Sequence, residues 1–192
     1  WLAQLLPALK NPKRYFALLI KVLARRYPRH NLRLRLNSIL DFLRGGYLAA
    51  CAPRTISRVH AQFSDGAATC GLVFALLRGI PYSFMSHTSY NSFLLDEKIK
   101  YARFAVSISE FDREYLLKRT SRSYKEKIHI IHCGLDPEEW PLVETERTEG
   151  TILSIGTLQE KKGHIYLLKA LSRLLKKGIS FQCEIIGEGP ER

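Results

Sequence analysis

Along the first third of the chain, apolar residues return every three or four positions. Phe16, Leu19, Ile20, Leu23 and Tyr27 fall on one face of a helix, with Arg14, Lys21 and Arg25 on another. Over 32–36, leucine and arginine alternate as in a strand. Leu32, Leu36, Ile39, Leu40, Leu43 and Tyr47 nevertheless keep helical spacing over a longer span, which predicts a second helix. After residue 55 the pattern changes to short apolar runs separated by helical segments. Strands are predicted over 56–60, 81–86, 104–108, 128–132, 151–155 and 181–186, and helices over 65–77, 110–119 and 164–177. This alternation predicts a parallel α/β architecture.

The segment 141–150 (PLVETERTEG) is polar and acidic, opens on a proline and closes on a glycine, and predicts a linker. Residues 1–140 then form one domain, with a basic helical segment over 1–50. Residues 151–192 supply a single β-α-β unit, too little to cover both faces of a parallel sheet, so the second domain reads as cut off.

Composition narrows the class. With 192 residues, 46% hydrophobic and 25% charged, the chain is globular rather than disordered or fibrous. Its net charge of +12 is concentrated in residues 1–58, where twelve Lys and Arg face one acid, Asp41. Such a basic amphipathic segment suits either an anionic membrane surface or the solvated face of a domain helix. Nucleic acid ranks last, because aromatic residues do not interleave with the basic ones. The four cysteines form no CxxC pair, which suits a reducing compartment. The longest uncharged stretch, 79–95, contains Pro81, His87 and Asn91 and cannot span a bilayer. The chain starts at Trp1, has Met85 as its one methionine and shows no signal-peptide pattern, so it reads as an excerpt of a longer protein.

Candidate chemistry sits at strand ends. His87 follows the apolar run 81–86, at the carboxyl edge where open α/β sheets bind ligands, and His60 takes the matching place after 56–59. Each could instead be a packing histidine. Residues 156–163 (GTLQEKKG) join a strand to a helix. Two lysines there oppose the helix dipole unless an anion is bound, so Gly156, free backbone amides and Lys162 suggest a phosphate site, with a solvated lysine pair as the alternative. Gly187-Glu188-Gly189 after the last strand is a weak nucleotide signal. Ser109 to Asp112 reads as a capping box, and Asp136-Pro137-Glu138-Glu139 as a helix start, which leaves these acids structural. Cys133 lacks a recognisable base.

Taken in order, several motifs resemble family 4 retaining glycosyltransferases. His60-Ala61-Gln62-Phe63, then Gly79-Ile80-Pro81-Tyr82-Ser83-Phe84 leading to Ser86-His87, then Val106-Ser107-Ile108-Ser109-Glu110 resemble their acceptor-side domain. The run from Lys127 through Cys133-Gly134-Leu135-Asp136 resembles the crossover. Ile152 to Gly156, Lys161-Lys162-Gly163, and Glu184 to Pro190 resemble the opening of the donor domain. The basic first third is similar to the helical region of bacterial exopolysaccharide and colanic-acid-type members.

The resemblance implies a GT-B fold, two Rossmann-like domains with parallel sheets, both incomplete in this chain. It implies a nucleotide-diphosphate sugar donor, a saccharide or lipid-linked acceptor, no metal or other cofactor, and transfer with retention of configuration in polysaccharide biosynthesis. His87 matches the histidine that contacts the donor sugar. Lys162 matches the lysine that neutralises the departing diphosphate, and Gly156, Thr157, Gly187 and Gly189 fall on donor-binding loops. His60, Gln62 and Tyr90 are acceptor-side candidates. Thr157 stands where the family usually has arginine, Tyr90 where it often has aspartate, and Gln62 where it often has a second histidine. The glutamate pair of the family's donor site would lie beyond Arg192, so the chain alone is expected to be inactive. The implied setting is cytoplasmic, peripheral on the inner face of the plasma membrane. Two other classes compete. A nicotinamide oxidoreductase would need a glycine fingerprint and a later acid that are not visible, and a noncatalytic membrane-docking module would need only the basic third.

Overall fold

The computed structural model describes residues 8, 10–24, 32–87, 93–140 and 149–192. Arg25, Tyr27, Tyr90 and most of the expected linker lie outside the described residues. The chain divides into two compact units, Trp1–Leu135 and Asp136–Arg192.

In the first unit, helices α1 (Pro12–Ala24) and α2 (Leu32–Cys51) precede β1 (Val59–Gln62), α3 (Gly66–Arg78), β2 (Tyr82–Ser86), α4 (Leu95–Tyr101), β3 (Ala105–Ser107), α5 (Glu110–Arg119), a 3₁₀ turn (Arg122–Lys127) and β4 (Ile128–Ile130). The sheet is parallel throughout, in the order β1-β2-β3-β4. Successive right-handed crossovers in one direction deliver their helices to one face. There Ala61, Phe84, Ala105 and Ile128 pack against Leu72 of α3, Ile99 of α4 and Leu116 of α5. On the other face His60, Gln62, Phe104 and His129 are exposed.

Helix α3 is apolar all round because it is buried twice. Ala68, Leu72 and Ala75 meet the sheet, while Val73, Phe74 and Leu77 meet Tyr15, Leu18 and Val22 of α1 and Phe42 and Ala49 of α2. Helices α2 and α3 touch at Gly45, where a Cβ would lie 2.6 Å from the Cys70 carbonyl. At the end of α3, Arg78 donates to the carbonyls of Ala49, Ala52 and Pro53, satisfying the exit of α2 with a cation as its dipole favours. The inward residues of α1 are therefore Tyr15, Leu18 and Val22. Three residues of the predicted apolar face point to solvent instead, with Phe16 51%, Ile20 61% and Leu23 46% exposed.

Burial also sets the ionisation of the core. Tyr82 donates to the Ala68 carbonyl at 2.9 Å, and desolvation pushes its phenol well above its ordinary range. A phenol whose pKa is higher folded than unfolded contributes stability that is complete below pH ~10 and lost as pH rises beyond it. Chemical denaturation between neutral and strongly alkaline pH should show that decline, and Tyr82→Phe should make it shallower.

Two boundaries differ from the expected ones. Pairing of β1 begins only at Val59, whose amide meets the Pro81 carbonyl, because Ser57 and Arg58 are exposed before the sheet starts. His60 is thus inside the strand rather than beyond its end. The expected helix after Asp136 is a lone turn. Asp136 Oδ1 accepts from the Glu138 amide at 3.0 Å, but every residue over 131–140 is exposed, leaving no apolar face to extend a helix.

The second unit comprises β5 (Thr151–Ile155), a 3₁₀ turn (Glu160–Lys162), α6 (His164–Lys176) and β6 (Gln182–Ile186), with the strands parallel. Leu153, Ile155, Leu168 and Leu175 are exposed, as expected of a two-stranded layer too small to close a core.

Candidate functional site

The carboxyl edge of the first sheet gathers side chains from the ends of its strands and from helices α4 and α5. His87 immediately follows β2 and is half-buried. Its ring lies 4.7 Å from that of Phe63, which follows β1, so the two aromatic rings meet across adjacent strand ends. Phe63 has φ 71°, a left-handed conformation costly for a residue with a Cβ, and it persists only if the surroundings hold the loop.

The hold is visible. Lys98 of α4 is fully buried, and its Nζ donates to the carbonyls of Ser64 and Asp65 at 2.7 Å each. An ammonium taken from water needs such partners, and these two carbonyls fix the turn that displays Phe63.

Beneath His87 lies a second buried charge. Ser109 caps α5 by accepting from the Asp112 amide at 3.1 Å, as the capping box predicts. The Asp112 carboxylate, also fully buried, does not turn back on the cap. Ser86 Oγ donates to its Oδ1 at 3.0 Å, and Ser107 Oγ lies 2.8 Å from its Oδ2. One carboxylate thereby joins the last residues of β2 and β3, directly before His87. In the sequence the cap alone accounts for Asp112, and nothing local marks Lys98. The one local signal for Asp112 was the pair of serines ending adjacent strands.

The other acceptor-side candidates separate. His60 Nδ1 is 2.8 Å from Ser83 Oγ, and the His60 ring stacks on Phe104 at 6.1 Å, on the open face of the sheet. It does not join His87 at the edge. Gln62 is the last residue of β1, opposite Met85, and is exposed. Tyr90 lies outside the described residues.

In the second unit the expected phosphate loop is built differently from the sequence expectation. Lys161 and Lys162 end the 3₁₀ turn, and Gly163, at φ 71°, separates them from α6, so neither lysine occupies the first helical turn. The amides of Gly156, Leu158 and Gln159 donate to the carbonyls of Ile186, Glu188 and Thr157, and those of Lys162 and Gly163 to Gln159 and Glu160. Those five amides are engaged and are not free donors for an anion. Lys162 is exposed, Thr157 is exposed, and the Thr157 carbonyl lies 3.2 Å from His164 Nε2.

Gly187 and Gly189 have a backbone explanation. A Cβ on Gly187 would collide with the Gly156 carbonyl, and one on Gly189 with that of Leu158. The loops after β5 and β6 run against each other, and backbone cannot give way as a side-chain tip can. Gly187→Ala should cost about 1–3 kcal/mol through overpacking, read as increased hydrogen exchange over 151–158 and 182–189.

No protein-family model and no curated protein sequence matches the chain. Among solved structures it is similar to TarM, a GT-B glycosyltransferase, with a TM-score of 0.61 and 13% identity, over 78% of this chain and 31% of that one. The likeness establishes the fold: α/β with parallel sheets, in the GT-B class. The chain spans about a third of the length of that neighbour.

Proposed function

We propose that this chain is part of a retaining glycosyltransferase that moves a sugar from a nucleotide-diphosphate donor to a saccharide or lipid-linked acceptor in polysaccharide biosynthesis, without a metal. One observation carries the reading: within a GT-B fold, His87 stands at the carboxyl edge of the first sheet, held between Phe63 and the strand end that Asp112 fixes. Polar groups held rigidly at that edge are placed where α/β sheets bind ligands. In this reading His87 contacts the donor sugar at the reacting centre. Lys162, with its mobile charge, opposes the negative charge that grows on the diphosphate as the glycosidic bond breaks. Thr157 supplies a hydroxyl where a second cation would strengthen that role.

A calorimetric titration with UDP- and GDP-hexoses tests it, using a chain that carries both complete domains. One donor class should bind, and Lys162→Ala should weaken it about tenfold, the effect of losing one charge-assisted contact. A folded chain that binds neither class speaks against the assignment.

Cytoplasmic attachment to the inner membrane face is part of the same proposal. No helix among the described residues is long and apolar enough to cross a bilayer. The support for docking is α1, whose outward stripe of Phe16, Ile20 and Leu23 runs beside Lys13. A solvated domain helix would expose polar residues there, whereas a helix lying on an anionic surface needs this arrangement. Vesicle binding without any nucleotide-sugar binding would favour the noncatalytic docking module.

A further inference from the structure

On the flank of α1, between its core-facing and outward-facing sides, the structure leaves an open groove of about 300 Å³. Arg14, Ala17 and Lys21 form one wall. Leu76 of α3, Ile80 of the following turn and Tyr101 at the end of α4 also line it. The turn after α3 and the end of α4 both lead into strands, so the groove lies at the amino edge of the sheet, opposite His87.

Its chemistry is divided. The floor is aliphatic, and the rim is cationic. Lys21 Nζ donates to the Tyr101 hydroxyl at 3.2 Å, and Arg14 donates to the Leu76 carbonyl at 3.3 Å. Both partners are uncharged, and among the described residues neither cation pairs with an acid. Two unneutralised cations over an apolar slot complement a molecule with an anionic head and a hydrocarbon tail. The slot is also continuous with the outward stripe, because Ala17 and Ile20 are neighbours at i and i+3 on the helix.

We infer that this groove receives one acyl chain of an anionic phospholipid, with Arg14 and Lys21 at its headgroup. The inference rests on the membrane-docking reading above and adds a defined lipid site to it. A basic stripe alone attracts a bilayer in proportion to its surface charge. A groove for one chain adds a saturable contact that depends on its free volume.

The test uses the full chain and two probes. One is monomeric lysophosphatidylglycerol below its micelle concentration, compared with lysophosphatidylcholine by calorimetry. The other is flotation with phosphatidylcholine vesicles containing about one third phosphatidylglycerol, enough to give an anionic surface. Saturable binding of one lysophosphatidylglycerol per chain is expected. Ala17→Trp fills the slot from an exposed helical position without changing charge, and should weaken that binding at least about tenfold, since excluding only two methylenes is worth that much. The double variant Arg14→Gln and Lys21→Gln leaves the floor intact and should narrow the preference for the anionic lipid; it decides the matter if the tryptophan variant does not fold. Vesicle binding with no saturable lyso-lipid site, or with a site indifferent to both variants, overturns the groove while leaving membrane docking standing. No binding to vesicles at all overturns both.

Discussion

Lys98→Met should lower stability by about 2–3 kcal/mol, seen as a fall of roughly 4–12 °C in the melting transition of a chain this long. Methionine keeps most of the buried volume of the lysine stem and removes the donor. The carbonyls of Ser64 and Asp65, each 2.7 Å from Nζ, then face an apolar group. A hydrogen bond from a charged donor is worth about 1.5–3 kcal/mol, and two are lost, although the Asp65 carbonyl keeps its bonds from the Thr69 amide and hydroxyl. Relief from burying the ammonium offsets part of that loss, because taking a charge out of water is itself expensive. The net sign is still destabilising, since both bonds from the ammonium to the loop are lost and methionine offers no donor in their place. A second readout follows from position. The loop carries Phe63, so the chemical shifts of the His87 ring protons should move in the variant. A chain with unchanged melting and unchanged His87 resonances would show that Lys98 does not hold this edge.

His87→Ala acts on the other side of the ledger. The proposed role is contact with the reacting sugar, and loss of one preorganised polar group at a developing charge costs about 10²–10³-fold in turnover. The expected change is in kcat, with a small change in KM, because the interaction strengthens as the bond breaks. Stability should shift by about 1 kcal/mol or less, the worth of a ring pair such as that with Phe63. A variant that transfers sugar at the normal rate would remove His87 from the reaction.

Much of the fold is legible because short apolar runs mark all six strands and helical spacing marks α3, α5 and α6. Long helices were also legible: the 32–36 alternation could have been a strand, but twenty residues at helical spacing outweigh five, and α2 runs over Leu32–Cys51. Helix α4 was not legible. Its seven residues, LDEKIKY, carry four charges, and one of the residues it buries is Lys98 itself. Nothing local distinguishes that lysine from a solvated one.

The site was legible in part for a related reason. His87 could be read from its place after an apolar run. Phe63 could not, because its positive φ and its ring contact arise from a loop held by a residue 35 positions away in sequence. Asp112 fits its capping box, so its bonds to Ser86 and Ser107 are hinted at only by the serines that end the two adjacent strands. In the second unit, Gly187 and Gly189 suggested ligand approach, whereas the space they leave is filled by the chain itself. The lysine pair 161–162 read as a helix start because a 3₁₀ turn and a helix share the same local pattern until Gly163 separates them.

The most direct measurement is ¹H NMR of the anomeric proton during turnover of UDP- and GDP-hexoses by a chain carrying both complete domains. Slow hydrolysis of the donor suffices when the acceptor is unknown. Release of a sugar that first appears in the donor's own anomeric configuration, and that disappears in His87→Ala, is the expected result. Release with inverted configuration, or at the same rate in the variant, would contradict it.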